Sequence, residues 1–160
     1  MKDRELDYLI SKYKSKAFTV HYQYFLKYFK NSKYRKMVFI ENNGYGADIK
    51  DLKVLKRVGG VCIDLAHLEH HRHRSMDKYK IACKAVEKYK VGCNHLSAVY
   101  SNGISMHEVK KLTDFDYLKN IPKNYFSKYI NFELANSISE QLKFRKYIVK
   151  LLAKSWNKKS

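Results

Sequence analysis

The chain has 160 residues, 45% hydrophobic and 14% aromatic, which suits a single domain with its own core and argues against disorder. It has no run of about eighteen apolar residues, and Met1-Lys2-Asp3-Arg4-Glu5 lacks the apolar segment of a secretory signal, so the expectation is a protein without a transmembrane segment, cytoplasmic or exported without a visible signal peptide. With 33 Lys and Arg against 15 Asp and Glu, the formal charge of +18 attracts nucleic acid, another polyanion or an acidic partner protein, although a lysine-rich composition also produces a merely solvated basic surface.

Residues 3–30 read as N-terminal helices: Leu6, Leu9 and Ile10 have helical spacing, and Val20, Tyr24, Phe25, Tyr28 and Phe29 make a second stripe. Asn31-Ser32 breaks the pattern. Met37-Val38-Phe39-Ile40 is a short apolar run, either a strand or a buried turn of helix. Asn42-Asn43-Gly44-Tyr45-Gly46 reads as loop, and Asp48 as the N-cap of a short helix reaching about Val58 and ended by Gly59-Gly60. From 61 to 89 the spacing of Leu65, Ala66, Met76, Tyr79, Ala82, Val86 and Tyr89 predicts helix, one or two segments, headed by Cys62. Residues 93–118 read as a β-meander: strands from Cys93 to Tyr100 and Ile104 to Leu112, joined by the hairpin signal Ser101-Asn102-Gly103, then a third strand from Thr113. After Pro122 come C-terminal helices within 123–156.

That order predicts an α+β fold over 1–160, with helices packed on a small antiparallel β-meander and a nucleophile at the N-terminus of a central helix. Cys62, Cys83 and Cys93 cannot all pair and show no CxxC spacing, so neither a disulfide framework nor a zinc ribbon is indicated. A cysteine at a helix start gains thiolate character from the free N–H groups there. Cys62 is therefore the candidate nucleophile. His107 is the candidate base, and Asp114 or Asp116 the group that orients it, because a chain reversal near Lys110-Lys111 would bring one of these carboxylates opposite His107 on the next strand. His95, beside Cys93, is the back-up base.

Gly60, Cys62, Asp64 and Ala66 at the helix start, His107 on the following hairpin and Asp114 or Asp116 beyond it resemble the transglutaminase-like branch of the papain-like cysteine enzymes, over residues 57–118. The chain departs from the family's His-Ala-Trp, having His107-Glu108-Val109. The resemblance implies a cysteine hydrolase or acyltransferase acting on an amide or thioester of a protein or peptide substrate, in a toxin or effector setting, without a cofactor.

The segment His67-Leu68-Glu69-His70-His71-Arg72-His73-Arg74 is the second cluster. It lacks the Glu after His67 that the zinc-protease motif requires, and its arginines repel a cation, so no metal site is assigned. His70, His71, Arg72 and Arg74 instead form a candidate polyanion contact. With 14 tyrosines interleaved among lysines, this supports a rival expectation: a basic nucleic-acid-binding protein or small nuclease.

Overall fold

A computed structural model describes residues 3–42 and 52–157. Its framework is a sheet of five strands that are all parallel and stand side by side in chain order: β1 (Phe18–His21), β2 (Val38–Glu41), β3 (Gly60–Asp64), β4 (Val91–Leu96) and β7 (Ile130–Phe132). The sheet curves into a half-barrel. Two further strands, β5 (Ala98–Val99) and β6 (Ser105–Met106), form a separate antiparallel pair. The architecture is thus α/β, which corrects the expected helices on an antiparallel β-meander.

The helices are α1 (Asp3–Tyr13), α2 (Tyr22–Tyr24, continued by a π-helical turn over Phe25–Phe29), α3 (Leu65–Arg74), α4 (Met76–Lys88) and α5 (Ile138–Asn157). Turns of 3₁₀ helix cover Arg35–Met37, Leu52–Arg57, Leu112–Asn120 and Lys123–Tyr125. Ser137 and Glu140 start α5 with reciprocal capping bonds, Glu140 Oε2 accepting from the Ser137 N–H and Ser137 Oγ from the Glu140 N–H. The break inside the helical stretch 61–89 falls at Ser75.

Side chains alternate along each strand and give the sheet two unlike faces. Val38, Ile40, Val61, Ile63 and Leu96 join the main core with α4 (Ala82, Ala85, Val86) and α5 (Phe144, Ile148, Leu152). Full burial of each Val, Leu, Ile or Phe among these contributes about 1.5–3 kcal/mol. On the other face Phe39, Cys62 and Cys93 pack together as a small separate cluster. Near-continuous burial along β2 and β3 is what a parallel strand covered on both faces requires.

Two glycines make the floor possible. Gly60 has φ of +140°, and a Cβ there would sit 2.1 Å from the Lys90 carbonyl oxygen. At Gly92 a Cβ would lie 1.8 Å from the Phe39 ring. Gly92 also falls where the β3–β4 register slips, Val61 facing Val91 and Cys62 facing Cys93. The Gly59-Gly60 pair therefore opens a strand instead of a helix.

Several expected elements are corrected. Cys62 lies in mid-strand and α3 begins three residues later, because Val61-Cys62-Ile63 is a buried β run between strands. The hairpin at Ser101-Asn102-Gly103 is present, with Gly103 at φ +76° and Tyr100 N–H bonded to Ile104 O, but its strands are two residues long. The stretch proposed as a third strand is 3₁₀ helix over Leu112–Asn120, and the region from 123 holds a 3₁₀ turn and β7. N-terminal residues 18–21 are strand as well, so 3–30 is not helix throughout. The expected Asn43–Gly46 loop and the Asp48 cap lie outside the described residues. Among the described residues no helix is long and apolar enough to cross a membrane.

Candidate metal centre

Each parallel strand delivers a polar residue at its C-terminal end, on the face of Phe39, Cys62 and Cys93. Glu41 closes β2, Asp64 closes β3, His95 lies one residue before the end of β4, and Glu133 follows β7. One ligand atom from each of Glu41, Asp64, His95 and Glu133 lies within 4.8 Å of all the others. Glu41, Asp64 and His95 are buried and Glu133 partly so. His21 closes β1 and places Nε2 3.6 Å from Glu41 Oε2. In parallel-strand folds, substrates meet the protein at this end of the sheet.

The neighbouring backbone holds these groups still. Asn42 bridges β2 and β3: its Nδ2 donates to Asp64 O at 3.1 Å and its Oδ1 accepts from Asp64 N–H at 2.7 Å. Asn94 does the same for β4, donating to Ile63 O and Tyr125 O and accepting from Ser127 N–H. Asp64 has two tasks. Its Oδ1 caps α3 by accepting from His67 N–H at 2.8 Å, while Oδ2, fully buried, accepts no hydrogen bond among the described residues and faces His67 Nε2 at 3.8 Å. The small hairpin contributes Ser105, whose hydroxyl pairs with His67 Nδ1 at 3.1 Å.

Burial raises the Asp64 pKa, the His67 charge and N–H oppose that rise, and the carboxylates of Glu41 and Glu133 add to it. His95 Nδ1 stands 3.5 Å from Glu41 Oε1 and 3.4 Å from Glu133 Oε1. Burial by itself would lower the His95 pKa, but these two carboxylates outweigh it and raise it from 6.5 to about 10. Glu133 is correspondingly lowered, first by its bond to His95.

The donor set fits a divalent cation. Ligand bonds of about 2.1 Å put tetrahedral donors about 3.4 Å apart and opposed octahedral donors about 4.2 Å apart, so a spread of 4.8 Å closes with shifts below about 1 Å per atom. The buried Asp64 Oδ2, which accepts no hydrogen bond among the described residues, is left available as a ligand. Three carboxylates with one imidazole suit Mn²⁺ or Zn²⁺, since imidazole favours transition metals over Ca²⁺ or Mg²⁺.

The residues singled out from the sequence are placed differently. Cys62 is 0% exposed, and its hydrogen bond to Cys93, then burial, push its thiol pKa upward. His107 lies just beyond β6, is exposed, and pairs Nδ1 with Glu133 O at 2.9 Å. Asp114 Oδ2 accepts from Lys110 and Lys111 N–H, and Asp116 bonds Tyr147 and Lys119. Among the described residues no hydrogen bond or ion pair joins Cys62, His107, Asp114 and Asp116, because 3₁₀ helix stands where the sequence predicts the opposing strand. His95 is in the cluster between Glu41 and Glu133, and its charge, after the Cys62 hydrogen bond, helps to lower the pKa of Cys93 on the same strand face. Of the basic set, His71 is buried, Arg72 pairs with Glu69, Arg74 donates to Asn102 O, and His70 is half-buried.

Sequence reasoning does not single out Glu41 or Glu133, and it places Asp64 only in a helix start. A signal was present: Val38-Phe39-Ile40-Glu41, Val61-Cys62-Ile63-Asp64 and Ile130-Asn131-Phe132-Glu133 are three β-rich runs, each ending in an acid. Comparison with protein-family models, curated proteins and solved structures finds no match for this chain.

Proposed function

We propose that the chain is a metal-dependent enzyme acting on an anionic, phosphorylated substrate, with Glu41, Asp64, His95 and Glu133 as ligands to one divalent ion of the Mn²⁺ or Zn²⁺ class. The observation that carries this reading is the convergence of those four ligand atoms within 4.8 Å at the C-terminal ends of parallel strands. A bound ion would supply Lewis acidity, polarising a phosphoryl oxygen or activating water. Metal-assisted hydrolysis of a phosphate ester is the reaction class that joins such a site to a net charge of +18.

The remaining roles belong to the chain. Asn42 keeps Glu41 and Asp64 in register, and His67, steadied by Ser105, faces Asp64 and donates its backbone N–H to Oδ1. His107 fixes the backbone that carries Glu133. His21, at the rim and facing Glu41, is placed to exchange a proton with a substrate in the adjoining pocket of about 400 Å³, lined also by Glu41, His95 and Glu133. A thiol nucleophile has no comparable support, since Cys62 lies in the floor with Cys93 as its hydrogen-bond partner.

The test is calorimetric titration of metal-free protein with Mn²⁺ and Zn²⁺, alongside hydrolysis of bis(p-nitrophenyl) phosphate. One ion per chain, with turnover that disappears on chelation and in Glu133→Gln, is the expected result. Failure of both ions to bind, or turnover indifferent to chelation, refutes the reading.

A further inference from the structure

The wall of the pocket beside the acidic cluster is a row of aromatic rings. His21 and Tyr24 stack with centroids 5.9 Å apart and planes at 25°, and Tyr24 and Tyr28 continue the row at 6.4 Å and 22°. Their spacing of three and then four residues puts the rings on one side of α2 and its π-helical turn. Tyr24 and Tyr28 are 47% and 45% exposed, so both keep ring surface open to a ligand. Lys27 Nζ sits 4.9 Å from the Tyr28 ring centroid, leaving a cation at the outer end of the row. The inner end is His21, facing Glu41. One pocket is lined by all three rings and by Glu41, His95 and Glu133.

Near-parallel exposed rings accept flat partners, and a nucleobase has a π-face whatever its sequence. A protein bearing +18 adds attraction for a phosphate backbone. A lone aromatic metabolite would use the rings without the charge, and an inorganic phosphate the charge without the rings. A mononucleotide offers one base and one phosphate, whereas a strand with unstacked bases offers successive faces to the row of three rings and a backbone of phosphates to the charge. Double-stranded nucleic acid keeps its base faces covered.

We propose that His21, Tyr24 and Tyr28 form a base-stacking ledge, and that the substrate of the neighbouring metal site is a single-stranded nucleic acid whose backbone is carried by the ledge towards Glu41, His95 and Glu133. The substrate class rests on the metal-dependent reading above. The ledge is a binding surface in its own right and is tested without metal.

The probe is a fluorescently labelled twelve-residue oligo(dA), read by anisotropy at fixed salt with chelator present. Tyr24→Ala with Tyr28→Ala should weaken binding at least tenfold, since loss of a stacking ring typically costs about fivefold to a hundredfold per base. Tyr8→Ala with Tyr13→Ala, which removes two exposed tyrosines of α1 without altering charge, should leave it within twofold of wild type. Tyr24→Phe with Tyr28→Phe should bind as wild type. An abasic oligonucleotide of equal length needs no variant and should bind wild-type protein more weakly than oligo(dA), by the same factor as the ledge substitution.

Equal affinity for the abasic strand, for duplex or for the ledge variant means adventitious attraction to a basic surface and overturns the proposal. Manganese titration of the ledge variant keeps the two readings apart. Normal Mn²⁺ binding with lost oligonucleotide binding assigns the defect to the ledge. Ledge binding in a protein that takes no metal overturns the substrate assignment, leaving only a nucleic-acid-binding surface.

Discussion

Asp64→Asn is the substitution that best separates the metal site from the fold around it. The side chain is fully buried, and its Oδ1 caps α3 through His67 N–H. Asparagine keeps the shape and the capping oxygen, while it removes a buried negative charge that faces Glu41 and Glu133. Metal-free Asp64→Asn should therefore melt at or above the wild-type temperature. The metal response should move the other way. An ion that binds only the folded chain stabilises it by about 2.7 kcal/mol at a concentration of one hundred times its dissociation constant. For a domain of this size that amounts to roughly 5–11 °C in Tm.

If loss of one of four ligands weakens binding about a hundredfold, the same metal concentration only equals the new dissociation constant, and stabilisation drops to about 0.4 kcal/mol, roughly 1 °C. The assay is differential scanning fluorimetry of wild type and Asp64→Asn, chelated and then titrated with Mn²⁺ or Zn²⁺. An equal metal-induced shift in both proteins would show that Asp64 is not a ligand. A large loss of Tm in the metal-free variant would show that the carboxylate is needed for folding, which contradicts the strain argued here.

The pH dependence of the metal-free protein follows from His95. Its folded pKa is raised from 6.5 to about 10, so its contribution to stability is complete below 6.5 and is lost as pH rises through 10. Chemical denaturation should show a decline across that window that His95→Gln flattens, and a flat wild-type profile would count against the ion pairs. Gly92→Ala drives a methyl into the Phe39 ring and should destabilise by about 1–3 kcal/mol, with Phe39→Leu in the same chain recovering part of the loss in urea melts. Timed iodoacetamide labelling of native protein should modify half-buried Cys83 before Cys62, read by peptide mass spectrometry. Cys62 reacting first would restore the thiol-nucleophile expectation.

What could be read from the sequence was local. The turn Ser101-Asn102-Gly103 carries its own chemistry, and α5 is visible from the spacing of Ile148, Leu151 and Leu152. The parallel sheet is non-local: Phe39 meets Gly60, and Cys62 meets Cys93 across thirty-one residues, with no turn motif to announce either pairing. Four-residue strands such as β2 are too short for alternation to show, and burial on both faces removes it. A cysteine in a buried strand and one at a helix start then look alike in sequence. The difference lies in Gly60, whose positive φ accommodates the close approach of Lys90 and opens β3.

The same geometry explains why acids gather in so basic a molecule. Each strand must end where a helix or turn takes over, and its last inward residue points past the apolar floor of Phe39, Cys62 and Cys93. A parallel sheet brings all such ends to one side, so one acid or histidine per strand accumulates into a charged cluster that no single segment displays. Folding must bring Glu41, Asp64 and Glu133 together against the cost of burying Asp64 beside two other carboxyl groups, with His95 set between Glu41 and Glu133. On the proposed reading a cation offsets the cost of gathering these carboxylates, and the same cation would hold a phosphate against them.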